Sequence, residues 1–126
     1  LTKDSDSCRG RDECLRAGEA ELVTATVKDG GLWATTEGDE AATEAAIHVL
    51  MVPTLLTADK EPNLSIQDEV VSTVAAGLSP GDMVIVKSTV PPRTTVDSVR
   101  PTLFEESGLD ADAFGVAACP ERTVSG

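Results

Sequence analysis

The run Lys87-Ser88-Thr89-Val90-Pro91-Pro92-Arg93-Thr94-Thr95 follows directly on the apolar stretch Met83–Val86. A second apolar stretch, residues 113–118, runs into Cys119-Pro120-Glu121-Arg122, and a third, residues 47–52, stops at Pro53-Thr54. If each stretch is a strand of one parallel sheet, hydroxyls, a carboxylate and a guanidinium collect along its carboxyl-terminal edge. In open α/β sheets ligands bind outside that edge. A carboxylate held there can take a proton from water, and a Thr hydroxyl can order that water or touch a ligand. Each residue also has a plainer reading. Thr89 can simply begin a turn, Glu121 and Arg122 can form a surface ion pair worth little, and Thr54 can cap its own turn.

The elements that must carry these residues are read from periodicity and turn chemistry. Residues 19–29 suit a helix, with Gly30-Gly31 as its left-handed stop. Residues 32–36 read as a short strand with Leu32 and Ala34 on one face. An Ala- and Glu-rich helix follows over 39–46, then a buried strand over 47–52. The stretch 54–63, where Asp59 and Glu61 flank Lys60, is a loop. Ser65 caps the next helix, with Asp68 three residues on, and Ile66, Val70, Val74 and Leu78 define its buried face. Ser79-Pro80-Gly81-Asp82 is a turn. The strand 83–86 leads to a helix over 94–106, which Pro101 bends or shortens and Gly108 ends. The last strand is 113–118. Strands alternating with helices at this rhythm predict βαβ units and a parallel sheet.

Composition narrows the function classes. The 126 residues suit one domain, with 1–18 a polar segment of no fixed pattern and 19–126 the folded part. With one Trp, two Phe and no Tyr, the core must be built from Val, Leu, Ile and Ala, as in buried parallel strands. A net charge of −12 repels nucleic acid and anionic membranes alike. It suits a halophilic source and an ordinary acidic protein equally. Cys8, Cys14 and Cys119 beside the single His48 give neither a disulfide framework nor a metal site. That usage points to a reducing cytoplasm. No apolar run approaches the roughly 20 residues of a membrane helix. The chain opens on Leu1 rather than Met, as a piece of a longer reading frame does.

From Gly31 to Gly126 the sequence resembles the NAD-binding half of the UDP-glucose/GDP-mannose dehydrogenase family. Four segments carry the likeness in order: Leu32-Trp33-Ala34-Thr35-Thr36, Val52-Pro53-Thr54, Glu61-Pro62-Asn63-Leu64-Ser65, and Ser88-Thr89-Val90-Pro91-Pro92 followed by Pro120-Glu121-Arg122. Each falls at a predicted element boundary. The resemblance implies an incomplete Rossmann-like parallel sheet with helices on both faces, lacking the first Gly-rich βα unit. It implies NAD as cofactor, a UDP-sugar as substrate, a homo-oligomer for the complete enzyme, and a step of polysaccharide biosynthesis. Such enzymes oxidise the sugar's primary alcohol to a carboxylate with two NAD, holding the intermediate on a cysteine from their other half. By the same resemblance Thr54, Thr89 and Glu121 touch the cofactor, and Thr89 orders a water on which Glu121 acts. Glu121 and Arg122 touch the substrate.

Cys119 stands where a nucleophile would be attractive, yet the family's cysteine lies far downstream. Cys-Pro-Glu-Arg in place of Ser-Pro-Glu-Arg is similar to members that oxidise UDP-N-acetyl-D-mannosamine, with UDP-glucose the second choice. Two residues depart from the family pattern: Leu55 replaces a Pro, and Arg93 replaces a Gly at a position where φ > 0 is in prospect. On this reading the isolated segment does not turn over. The competing expectation is a degenerate remnant or interaction module that keeps only the fold.

Overall fold

The computed structural model describes residues 19–120. The chain divides into two compact units that meet in sequence between Thr35 and Thr36. In the first, α1 (Glu19–Lys28) places Lys28 in its last turn, where a cation offsets the helix dipole. Thr24 and Thr26 donate their hydroxyl protons to the carbonyls of Ala20 and Leu22, at 2.7 and 2.8 Å. The expected stop is present: Gly30 has φ 76°, and the Gly31 and Leu32 amides both turn back to Thr26 O. The strand expected over 32–36 does not form. A strand exists only as one rail of a ladder, and no strand among the described residues pairs with this stretch.

The second unit opens with α2 (Gly38–Glu44), whose first turn carries Asp39 and Glu40 at the positive end of the helix dipole. It continues through β1 (Ile47–Leu50), the two-residue strands β2 (Leu55–Leu56) and β3 (Pro62–Asn63), and α3 (Ser65–Gly77). Then come β4 (Met83–Val86), a π-helical turn (Thr95–Val99), α4 (Arg100–Ser107) and β5 (Gly115–Ala118). The sheet has the order β1-β4-β5 with both pairings parallel, so the helices are crossovers between neighbouring strands. Leu50, Val84 and Val86 on one face of the sheet join Val71, Val74, Ala75 and Leu78 of α3, and Val99 and Leu103 before and within α4. This is the aliphatic core that the composition demands.

Three local expectations are corrected. The strand 47–52 is not buried throughout: His48 and Leu50 point into the core, while Ile47 and Val49 are 63% and 46% exposed. Among the described residues β1 is an edge strand, paired on one side only, with β4. Ser65 does not cap α3, because it is already the helix's first residue; Asn63 Oδ1 accepts its N–H at 3.0 Å instead. The buried face of α3 is Gln67, Val71, Val74, Ala75 and Leu78, with Ile66 and Val70 at its margin. Ala42 of α2 sits so close to Gly77 that a Cβ there would lie 2.7 Å from the Ala42 carbonyl carbon.

Pro101 acts as expected. It lacks the N–H that would bond back one turn, and the preceding turn widens, the Arg100 amide reaching Thr95 O five residues back. Gly108 ends α4 at φ 67°. At the amino-terminal edge of the sheet, Asp82 Oδ2 accepts the Ser79 N–H at 2.7 Å and lies 3.6 Å from buried His48 Nε2, beyond hydrogen-bond reach. Asp82 O accepts the Gly115 N–H at 2.8 Å, which ties the start of β5 to that of β4.

Candidate active site at the carboxyl-terminal edge of the sheet

The parallel register fixes which residues meet at the ligand-facing edge. Leu50 lies opposite Val86, and Val86 opposite Ala118, so the chain leaves all three strands at one level. Val52-Pro53-Thr54, Lys87-Ser88-Thr89 and Cys119-Pro120 emerge side by side. The Lys87 and Ser88 amides both donate to Leu50 O, at 2.9 and 3.2 Å, and the Cys119 amide donates to Val86 O at 2.8 Å. Beyond this point the backbones diverge and side chains take over the pairing.

Thr54 Oγ1 donates to Thr89 O at 2.8 Å. Two of the predicted site residues are therefore directly joined. The bond uses the hydroxyl's one proton, so the oxygen that Thr54 turns outward can only accept. Thr89 itself is exposed at the edge. Glu121 and Arg122 lie outside the described residues, immediately beyond Pro120. Cys119 is exposed and carries a free thiol at the same edge.

Ser88 is the residue that sequence reasoning missed. Its hydroxyl donates to Val52 O at 2.8 Å and accepts the Val52 N–H at 2.8 Å. A side chain here does the work of a ladder residue after the ladder has ended. The signal was available: Val84, Val86 and Ser88 occupy alternate positions, and all three are buried. Extending the strand's period of two by one step places Ser88 inside.

The turn after Thr89 explains the Arg93 departure. Pro91 O accepts the Thr94 N–H at 3.2 Å, Pro92 sits at the second position, and Arg93 at the third has φ 74°. This is the type II pattern, whose third position favours Gly. The Arg93 side chain turns into solvent and grips Asp97 through two 2.7 Å bonds. A cavity of about 230 Å³ lies beneath the turn, bounded by Ser88, Val90, Thr95, Ala118 and Pro120.

Left-handed backbone costs a side-chain-bearing residue roughly 1–2 kcal/mol, whereas the exposed ion pair returns about 0.3–0.5 kcal/mol. Arg93→Ala keeps the strain and loses the pair. Arg93→Gly loses the pair and removes the strain, against the higher chain entropy of Gly. The Gly variant is expected to be about 1 kcal/mol more stable than the Ala variant in urea unfolding. Equal midpoints would show that the turn is unstrained.

The edge is open to a polar ligand. An outward acceptor at Thr54, an open hydroxyl at Thr89 and diverging backbones leave a polar, sterically open rim. No group of three or more His, Cys, Asp or Glu that could hold a metal occurs among the described residues. No helix among them is long and apolar enough to cross a membrane.

Comparison with known proteins supplies the family. Residues 9–126 match the model of the NAD-binding domain of the UDP-glucose/GDP-mannose dehydrogenase family. The chain is 32% identical over 108 residues to a UDP-N-acetyl-D-mannosamine dehydrogenase of Methanococcus aeolicus, covering 83% of this chain and 23% of that protein. It is also 32% identical to one from Campylobacter jejuni, covering 94% of this chain and 30% of the other. The crystal structure of NDP-N-acetyl-D-galactosaminuronic acid dehydrogenase from Methanosarcina mazei Go1 superposes with a TM-score of 0.80 at 31% identity, over 87% of this chain and 24% of that one. The chain thus spans between a fifth and a third of the length of the proteins it matches. The family match over residues 9–126, with a parallel sheet that superposes on a solved relative, places the chain in the UDP-glucose/GDP-mannose dehydrogenase family, within the NAD-binding domain.

Proposed function

We propose that this chain supplies the nicotinamide-facing edge of an enzyme that oxidises the primary alcohol of a UDP-sugar to a carboxylate. UDP-N-acetylmannosamine is the preferred substrate and UDP-glucose the second. The observation that carries the reading is the direct bond from Thr54 to Thr89 at the carboxyl-terminal edge of a parallel sheet. It holds two family-matched residues at the spacing of one ligand-binding rim. The sugar preference rests on Cys119-Pro120-Glu121-Arg122 and on relatives that carry the UDP-N-acetyl-D-mannosamine dehydrogenase name.

NAD, when bound, would supply the hydride acceptor for each of the two oxidation steps. The residues of this chain orient and move protons. Thr54, its one proton given to Thr89 O, would accept a hydrogen bond from a donor group of the cofactor. Thr89 orients a water at the reacting carbon. Glu121 takes a proton from that water while the acyl group is held on a cysteine contributed by the rest of the enzyme. Arg122 offers a fixed positive charge to the anionic substrate. Ser88, behind the rim, excludes water from the diverging strand ends.

The test is NADH formation by the complete enzyme carrying this segment, measured with each nucleotide sugar in parallel. The expected result is a kcat/KM for UDP-N-acetylmannosamine about tenfold or more above that for UDP-glucose, the size of one or two pocket contacts. Preference for UDP-glucose overturns the sugar assignment. No NADH with any nucleotide sugar overturns the oxidation itself and favours a remnant that keeps only the fold.

A further inference from the structure

We infer that Ser88 is a positioning residue for the cofactor rim: it sets the place of Thr54 by clamping Val52, two residues upstream. The inference rests on the function proposed above. Three observations carry it. First, Ser88 satisfies both backbone groups of Val52, as donor to its carbonyl and acceptor from its amide, each at 2.8 Å. Second, the Ser88 side chain is buried, so water cannot replace it as a partner without opening the strand ends. Third, the strands no longer pair through their backbones here, the last such bonds being those from Lys87 and Ser88 to Leu50 O. Between that point and the Thr54–Thr89 bond, the Ser88 hydroxyl is the one cross-link among the described residues. Pro53 passes the constraint on, because its ring fixes φ between Val52 and Thr54.

The chemistry follows from donor counting. Thr54 has one proton and gives it to Thr89 O. That orientation leaves acceptor lone pairs facing the rim, suited to an N–H or O–H of the cofactor. If Val52 shifts, the Thr54–Thr89 bond lengthens, the hydroxyl turns toward water, and the rim loses its acceptor. Ser88 thus acts on the cofactor through Thr54 and touches no reacting atom.

The experiment uses Ser88→Ala, Ser88→Thr, Thr54→Val and the double variant Ser88→Ala/Thr54→Val in the complete enzyme. Two quantities are read: NAD affinity by calorimetry together with KM for NAD, and deuterium exchange at the Val52 amide. Ser88→Ala is expected to weaken NAD binding about tenfold, the equivalent of one lost hydrogen bond. KM for the sugar nucleotide stays put, and Val52 loses its exchange protection. Ser88→Thr keeps the hydroxyl and has the adjoining cavity for its methyl, so it restores both readouts. Thr54→Val also costs about tenfold, and the double variant costs no more than either single one. Additive losses of about a hundredfold, or an unchanged NAD affinity in Ser88→Ala, overturn the inference while leaving the function standing. Failure of the wild-type enzyme to bind NAD overturns the function and this inference with it.

Discussion

Glu121→Gln in the complete enzyme is expected to lower kcat by roughly 10²–10⁴-fold, the usual worth of general-base help. The amide keeps the shape of the carboxyl group and can still hydrogen-bond, but it cannot take a proton from the attacking water. The first oxidation needs no such water, so the loss falls on hydrolysis of the acyl intermediate. Substrate binding is made mostly by other groups, so the loss falls on kcat, and KM falls with it as the covalent species builds up. The acyl-cysteine species then accumulates, and intact-protein mass spectrometry detects it as a stable adduct after mixing with NAD and sugar nucleotide. Wild-type turnover in the Gln variant would reduce Pro120-Glu121-Arg122 to a structural turn.

The second large effect concerns the core that supports this edge. Leu103 of α4 has no exposed surface and belongs to the cluster with Val71, Val84 and Val86. Leu103→Ala removes three carbons from a site that two packed elements cannot easily refill. It is expected to cost about 2–5 kcal/mol. The neighbouring Phe104 is 45% exposed, and Phe104→Ala should cost under about 1.5 kcal/mol although it removes a larger group. Urea unfolding of the chain separates the two: the Leu103 variant moves the midpoint far, the Phe104 variant little, and the slope stays the same in both. Equal shifts would contradict the burial assigned to α4.

The sequence made the βαβ rhythm legible because β4 and its flanking turns are unambiguous: Met83–Val86 is apolar throughout, and Ser79-Pro80-Gly81-Asp82 can only turn. The hairpin of β2 and β3 was not legible. Strands of two residues have no period to detect, and the turn between them places Lys60, not Gly, at φ 64°. Residues 32–36 failed in the opposite sense, since alternation alone does not supply a ladder partner. In α3 the buried stripe runs through Gln67, a polar residue that an apolar template passes over. The positions of Thr54 and Thr89 were readable as strand ends, but their bond depends on strand register, which no single segment encodes. Ser88 was passed over for a related reason: it lies beyond the apolar run of β4, although it continues the inward alternation of Val84 and Val86 by one step.

The stoichiometry of the reaction tests the proposed oxidation most directly. The complete enzyme carrying this segment, given limiting UDP-N-acetylmannosamine and excess NAD, is predicted to form two NADH for each sugar nucleotide consumed, with the carboxylate as the end product. One NADH per sugar with an aldehyde released, or no NADH at all, would contradict it.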